Sequence, residues 1–358
     1  MQNWLKSSAR QLQANIRKLK LTYYLRQYKN TITTTDLTQV KSLALLRWDG
    51  KLGDTIIMGT FLALMAKYRP DINITILAYG FPIQWLKKLN LDIQIIECGK
   101  RSKKSAQALA AYQEQFDATI DLNSEFSYKE LLALQYLKPK IAIGYDTLTP
   151  NAYDIKIPHE KINFQERYIA CAQLFISKHI NTQEISIPTP TFIPQNLVEQ
   201  NQTQIALNLF GASKYRQFNY DSAKKFIHAW LKEWPQDSIV LIPVPGFLEF
   251  QQKLTAEIQN NRLLLPQAQP CLELTLGILA ASSLCVTPDT SVVHMASCLN
   301  TPTLAIYSPN KTNYDEWKPL ASKSAVIFNP TAPNEYTKVR VDDFKWNEVV
   351  DDRNKLLR

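Results

Sequence analysis

Residues 283–307, SLCVTPDTSVVHMASCLNTPTLAIY, read as strand, helix, strand. The apolar run 283–287 stops at Pro288, Asp289 or Thr290 offers a side-chain oxygen to cap a helix, the segment near 290–299 has helical apolar spacing, and 302–307 is apolar again. Two strands joined by a helix in so short a span form a parallel βαβ unit. The helix start also presents backbone N–H groups, hydroxyls and the positive end of a helix dipole, which suits the diphosphate of a departing nucleotide. His294 falls one turn along, on the face of Ser291. A lone histidine has an ordinary use as a core residue; this one follows a loop that leaves the C-terminal end of a strand, where open α/β sheets bind ligands.

The same alternation extends outward in both directions. Strands are expected near 43–48, 73–78, 93–97, 117–122 and 140–144, with helices near 55–68, 82–90, 102–114, 126–137 and 163–178 between and after them. IPTPTFIPQN follows, in which Pro188, Pro190 and Pro194 interrupt any element. The alternation restarts with strands near 203–209, 238–243, 262–265, 283–287 and 302–307 and helices near 220–234, 247–259, 271–282 and 290–299. The predicted organisation is an extension at 1–40, a first Rossmann-like α/β domain at 41–187, a linker at 188–202, a second such domain at 203–335, and a C-terminal segment with a helix at 336–358. A chain of 358 residues with 45% apolar side chains has material for two cores, and two open sheets are expected to hold a ligand in a deep cleft between them.

Three further loops fall at strand ends. RWDGKLGD (47–54) holds two of the nine glycines and is neither GxGxxG nor a GK[ST] phosphate loop. Its Asp54 has two readings: a carboxylate satisfying the first turn of a helix, or a general base at the end of a first strand. NLFGASKYR (208–216) combines Gly211, the hydroxyl of Ser213 and the cations Lys214 and Arg216, of which Arg216 can grip a phosphate bidentately. Gly246 and Glu249 follow the strand at 238–243; Glu249 either accepts ribose hydroxyls or merely complements a helix dipole. GKRSKK (99–104) groups Lys100, Arg101, Lys103 and Lys104 after the strand at 93–97, and with Lys51 these suit an anionic acceptor, the plainer alternative being a solvated helix start. No HExxH, Cys/His ligand spacing or DxD occurs, so neutralisation of the leaving group falls to Arg216, Lys214 and helix N-termini, and neither metal nor cofactor is expected.

The net charge of +9 is unevenly spread. Residues 1–30 hold seven basic side chains (Lys6, Arg10, Arg17, Lys18, Lys20, Arg26, Lys29) and no acid, which leaves +2 for the rest of the chain. Leu5, Leu12, Ile16, Leu19 and Tyr23 recur at helical spacing among them, beside Trp4. A basic amphipathic helix is expected, and it either lies on an anionic membrane surface or packs its stripe on the protein's own body. Nucleic acid is not an expected partner, because no basic and aromatic pattern continues into the folded part. With no long apolar run and no signal-like leader the chain is expected in the cytoplasm, on the cytoplasmic membrane face if the helix binds there. The five cysteines (98, 171, 271, 285, 298) include no CxxC pair and are read as reduced core residues.

KLGD at 51–54, GAS at 211–213 with Arg216 beyond it, the Gly246 and Glu249 pair, and PDTSVVHMASCLNTPTLAIY occur in one order, and from about residue 43 onward the chain resembles glycosyltransferase family 9, the ADP-heptose:lipopolysaccharide heptosyltransferases of Gram-negative bacteria. The resemblance implies the GT-B fold and an inverting, metal-independent transfer of heptose from ADP-heptose to the Kdo-lipid A inner core of lipopolysaccharide or lipooligosaccharide. It implies Asp54 as catalytic base, Ser213 and Arg216 at the diphosphate with Lys214 sharing that role, Glu249 at the ribose, and Asp289, Thr290, Ser291 and His294 at donor sugar and phosphates. An epimerase of nucleotide sugars on the same two-domain plan, and a non-catalytic protein that binds sugar nucleotides or glycolipids, are the competing readings.

Overall fold

The computed structural model describes residues 2–28, 36–123, 126–146, 152–181, 185–331 and 340–358, with the side chains of 2–10, 14 and 27 outside that description. The chain forms two compact units, Met1–Pro188 and Thr189–Arg358. The first contains α1 (Gln2–Gln27), β1 (Ser42–Arg47), α2 (Leu52–Tyr68), β2 (Asn73–Ala78), α3 (Pro82–Lys87), β3 (Gln94–Glu97), α4 (Lys103–Ala108), β4 (Ala118–Asp121), α5 (Tyr128–Leu137), β5 (Ile141–Tyr145), β6 (Ile155–Ile157) and α6 (Phe164–Gln173). The second contains β7 (Thr203–Leu207), α7 (Tyr220–Glu233), β8 (Asp237–Leu241), α8 (Leu248–Ile258), β9 (Leu263–Leu264), α9 (Leu272–Ala281), β10 (Leu284–Pro288), α10 (Ser291–Cys298), β11 (Thr303–Tyr307), α11 (Lys311–Trp317), β12 (Ser324–Phe328) and α12 (Trp346–Leu356).

Each unit is built on a six-stranded sheet, in the orders β3-β2-β1-β4-β5-β6 and β12-β11-β10-β7-β8-β9. Every strand pair is parallel. Counted from its own first strand, each sheet has the doubly wound order 3-2-1-4-5-6, in which the chain reverses direction between the first and fourth strands. Central strands are apolar on both faces because helices cover both: Leu43, Ala44, Leu45 and Leu46 of β1 are all buried, as are Leu284, Cys285 and Val286 of β10. The two edge strands absent from the sequence reading, β6 and β12, pair on one side only and carry mixed burial, so their apolar signal is weak.

Three expectations change. Cys98, Cys171 and Cys285 are buried and unpaired as read, but Cys271 is exposed, because it takes the N-cap position of α9, where its sulfur accepts from the Leu274 N–H at 3.4 Å. The proline-rich stretch from 189 onward belongs with the second unit: the Gln195 N–H donates to the Gly277 carbonyl at 2.9 Å, and a Cβ on Gly277 would meet the Ile193 carbonyl oxygen at 2.3 Å. The described part of the α1 stripe stays exposed rather than packing into the body. Leu12, Ile16, Leu19 and Tyr23 are 61%, 42%, 70% and 58% exposed. A different face of the helix docks instead, through half-buried Leu21, Tyr24, Leu25 and Tyr28, with the Tyr24 ring stacked on Tyr128 of α5 at 5.4 Å. Lys29 and the side chains of Trp4, Leu5, Lys6 and Arg10 lie outside the described residues. Among the described residues no helix is long and apolar enough to cross a membrane.

Candidate active site

In the first unit the loops after β1 and β4 leave neighbouring strands where the strand order reverses. Asp54 sits in the first turn of α2, 6% exposed. It does not cap that helix: the N-cap is Lys51, and no side chain closes the cap. Its Oδ2 lies 3.7 Å from Arg47 Nη2 and 3.8 Å from Lys51 Nζ, and makes no hydrogen bond among the described residues. Burial pushes the Asp54 carboxyl up to about 7, with Asp49 adding to the rise and Arg47 and Lys51 opposing it. A carboxylate poised near neutrality with an unpartnered oxygen has the properties of a general base.

Arg47, the last residue of β1, is the hub of this corner and was not singled out as a site residue from sequence. It is 2% exposed and donates to Asp49 Oδ2 at 3.0 Å, to Asn123 Oδ1 at 2.6 Å and to the Tyr168 hydroxyl at 3.4 Å. Burial opposes its charge, yet Asp49, Tyr168 and Asp54 hold its pKa above the ordinary value. Asn123 in turn donates to Asp121 at 2.6 Å, and Tyr153 donates to the other Asp121 oxygen at 2.9 Å. The signal was present in SLALLR, where an apolar run ends on a charge at a strand's C-terminus.

The cations expected on the acceptor side separate. Lys51, Lys100, Lys103 and Lys104 are exposed. Arg101 turns inward to the fully buried Glu130 of α5, pairing through Nε with Oε1 and through Nη2 with Oε2 at 2.7 Å. Glu130 also accepts from the Ser127 N–H at 2.9 Å in a capping box, so Arg101 braces the start of α5.

In the second unit, residues 208–216 and 289–294 follow β7 and β10, the pair of strands at which that sheet reverses. Thr290 is the N-cap of α10 and accepts from the Val292 N–H at 3.2 Å. Gly211 lets the first loop approach it: an added Cβ would stand 2.9 Å from Thr290 Cγ2 and 2.7 Å from Arg216 Cβ. Asn208, quoted in the motif but assigned no role, ties the two loops together, its amide lying 3.0 Å from the Phe210 carbonyl, 3.0 Å from Thr287 Oγ1 and 3.2 Å from Thr290 Oγ1. Arg216 reaches across to Asp289, with Nη2 at 3.0 Å from Oδ2 and Nη1 at 3.2 Å from the carbonyl oxygen. Asp289 is buried and also accepts from Asn313 at 2.9 Å; burial raises its pKa while Arg216 and Asn313 oppose the rise. Its carboxylate therefore orients the guanidinium, whereas the sequence pointed to contact with the donor. Arg216 keeps 40% of its side chain exposed, so part of the fork is open to an anion.

Ser213 and Lys214 are exposed at the start of the short turn Lys214–Arg216, and Ser291 is half-buried in the first turn of α10. His294 is buried with Nδ1 unpartnered among the described residues, its ring edge-on to Trp317 at 5.9 Å. Burial lowers its pKa to about 4, so the imidazole is neutral at physiological pH. Glu249 is exposed in the first turn of α8, after Gly246 at φ +81°. Phe247 beside it stacks on Phe210 at 4.1 Å, which holds this loop against the one after β7.

Comparison with known proteins agrees with this geometry. Residues 248–346 match the model of glycosyltransferase family 9 (heptosyltransferase). An Escherichia coli (strain K12) protein that bears the provisional name lipopolysaccharide heptosyltransferase 4 is 25% identical over 337 residues, covering 88% of this chain and 90% of the relative. The crystal structure of a family 9 glycosyltransferase from Veillonella parvula superposes with a TM-score of 0.66 at 14% identity, over 91% of this chain and 99% of that one. The E. coli heptosyltransferase WaaC with ADP gives 0.62 at 15% identity, over 88% and 99%. The fold is that of the GT-B heptosyltransferase structures. The chain is a glycosyltransferase whose second unit matches glycosyltransferase family 9, the heptosyltransferase family.

Proposed function

We propose that the chain transfers heptose from ADP-heptose to the anionic inner core of lipopolysaccharide or lipooligosaccharide, with inversion, without a metal ion, and at the cytoplasmic face of the membrane to which residues 1–30 attach it. The observation that carries this reading is Asp54, a buried carboxyl that caps nothing, raised to about 7, with its Oδ2 making no hydrogen bond among the described residues. Asp54 takes the proton of the acceptor hydroxyl as that oxygen bonds to the anomeric carbon, and the bond from that carbon to the ADP oxygen breaks. The departing diphosphate carries negative charge, which Arg216, Lys214 and the N-terminus of α10 offset, with hydroxyls of Ser213, Thr290 and Ser291 as donors. Glu249 accepts from the ribose hydroxyls, and neutral His294 offers a hydrogen bond to the donor without competing for a proton. Lys51, Lys100 and Lys104 are assigned to the acceptor's anionic groups. The donor assignment is supported by the ADP in the WaaC neighbour and by the name of the family.

The test is ADP release from ADP-heptose with and without a Kdo-containing lipid A acceptor, no metal being added. Release that depends on acceptor and falls by about 10²–10⁴ in Asp54→Ala supports the transferase and its base together. Turnover of donor without acceptor would favour the epimerase. ADP binding with no turnover would leave a non-catalytic binding protein.

A further inference from the structure

We propose that the pocket between α1 and α5 seats the phosphate of an anionic membrane phospholipid and so orients the N-terminal helix on the bilayer. This rests on the membrane attachment proposed above and is separate from the transfer reaction. The described side chains of residues 11–20 are all exposed, and among the described residues α1 packs on the body near its C-terminal end. A helix standing in water without packing is marginally stable, and one with an exposed apolar stripe gains by burying it. The charges around that stripe are all positive, Arg17, Lys18, Lys20 and Arg26, with no acid anywhere in residues 1–30. That combination complements an anionic lipid surface.

The pocket, of about 430 Å³, is lined by Leu19, Lys20, Tyr23, Tyr24, Lys103 and Tyr128. Two of these, Leu19 and Tyr23, belong to the stripe, so once the stripe enters the acyl boundary the pocket lies at headgroup level. Lys20 Nζ stands 5.7 Å from the Tyr128 ring centre and Lys103 Nζ 5.9 Å from that of Tyr24, while the two rings stack on each other. Both ammonium groups are thus gathered around one aromatic pair, and no carboxylate appears in the lining among the described residues. Lys103 comes from α4 and Lys20 from α1, so a single phosphate held by both bridges the helix to the body. The lining tyrosines, Tyr23, Tyr24 and Tyr128, carry hydroxyl donors of the kind found at membrane interfaces. The continuity of pocket and stripe selects a lipid over a free anion.

The experiment is flotation of the full chain with phosphatidylglycerol and phosphatidylcholine vesicles, comparing paired lysines. Lys103→Ala and Lys20→Ala remove pocket cations; Lys104→Ala and Lys18→Ala remove exposed cations of the same two helices outside it. The pocket variants are expected to lose about tenfold more partition than their neighbours, since they lose a charge-assisted contact as well as a charge. Equal losses within each pair, with the wild type still bound, would overturn the pocket and leave the attachment standing. A wild type that fails to bind anionic vesicles would overturn the attachment itself. Displacement by excess inorganic phosphate at matched ionic strength would reassign the pocket to the free anion and also overturn the proposal.

Discussion

At the residue scale, Asp54, as the proposed base, links catalysis to stability. An ordinary aspartate ionises near 3.8 and this one near 7, so between those values the folded chain keeps a proton that the unfolded chain has released. Stability from this group is therefore present at low pH and lost as pH rises from about 4 through about 7. Asp54→Asn removes that loss: its melting temperature should exceed the wild type's at pH 8 and match it near pH 4, while transfer is abolished. In the wild type kcat/KM should rise with pH and level off above about 7, because only the ionised carboxyl accepts a proton. A flat profile across that range, with an unchanged melting temperature in the variant, would remove Asp54 from the base role. Arg216 shows the complementary arrangement, a cation whose direction is set by a buried acid while 40% of its side chain remains exposed.

At the element scale, α5 depends on a pair that lies outside the proposed chemistry. Glu130 is fully buried and satisfied by Arg101 and by the Ser127 N–H and hydroxyl. Arg101→Ala strands that carboxylate in a low-dielectric interior, where breaking such a pair costs about 3–5 kcal/mol. Urea unfolding should show a loss of that order, whereas a change below about 1 kcal/mol is what a merely exposed lysine neighbour would give. α5 also carries Tyr128, on which α1 stacks, so the element that Arg101 braces is the one that anchors the N-terminal helix. In the other unit α12 is fixed to its sheet by Val349 and Leu356 in the core and by Arg353, whose Nη2 lies 2.6 Å from Asp237 Oδ1.

At the scale of the whole molecule, each unit owns a complete sheet and core. The second core gathers Trp230, Phe226, Leu241 and Val286, with Trp346 packed against it from α12. Residues 189–358 expressed alone should therefore unfold in one cooperative transition and bind ADP by calorimetry, and Arg216→Ala in that fragment should weaken the binding. An aggregated fragment, or one blind to ADP, would show that donor binding needs the first unit.

The order of elements was legible in the chain because buried parallel strands are continuous apolar runs and helices carry a 3.6-residue period; β1, β2, β7, β10 and β11 lie within one or two residues of their expected starts. Loop motifs at strand ends were legible for the same reason, since the position of a strand end follows from its run. β6, β12 and α11 were not, because an edge strand pairs on one side only and α11 buries no residue, leaving little pattern to read. Their partners went unseen with them: Asn313 beside Asp289 and Trp317 beside His294 both come from α11. Which charges turn inward was largely invisible, as Arg101 and Asp289 look like surface residues until a distant element supplies the counter-charge. Local pattern determined the sheets and where their loops emerge. Tertiary contact alone decided which buried acid keeps an oxygen without a hydrogen bond, which cation is already engaged, and which face of α1 stays exposed, because burial and pairing are set by residues far apart in the chain.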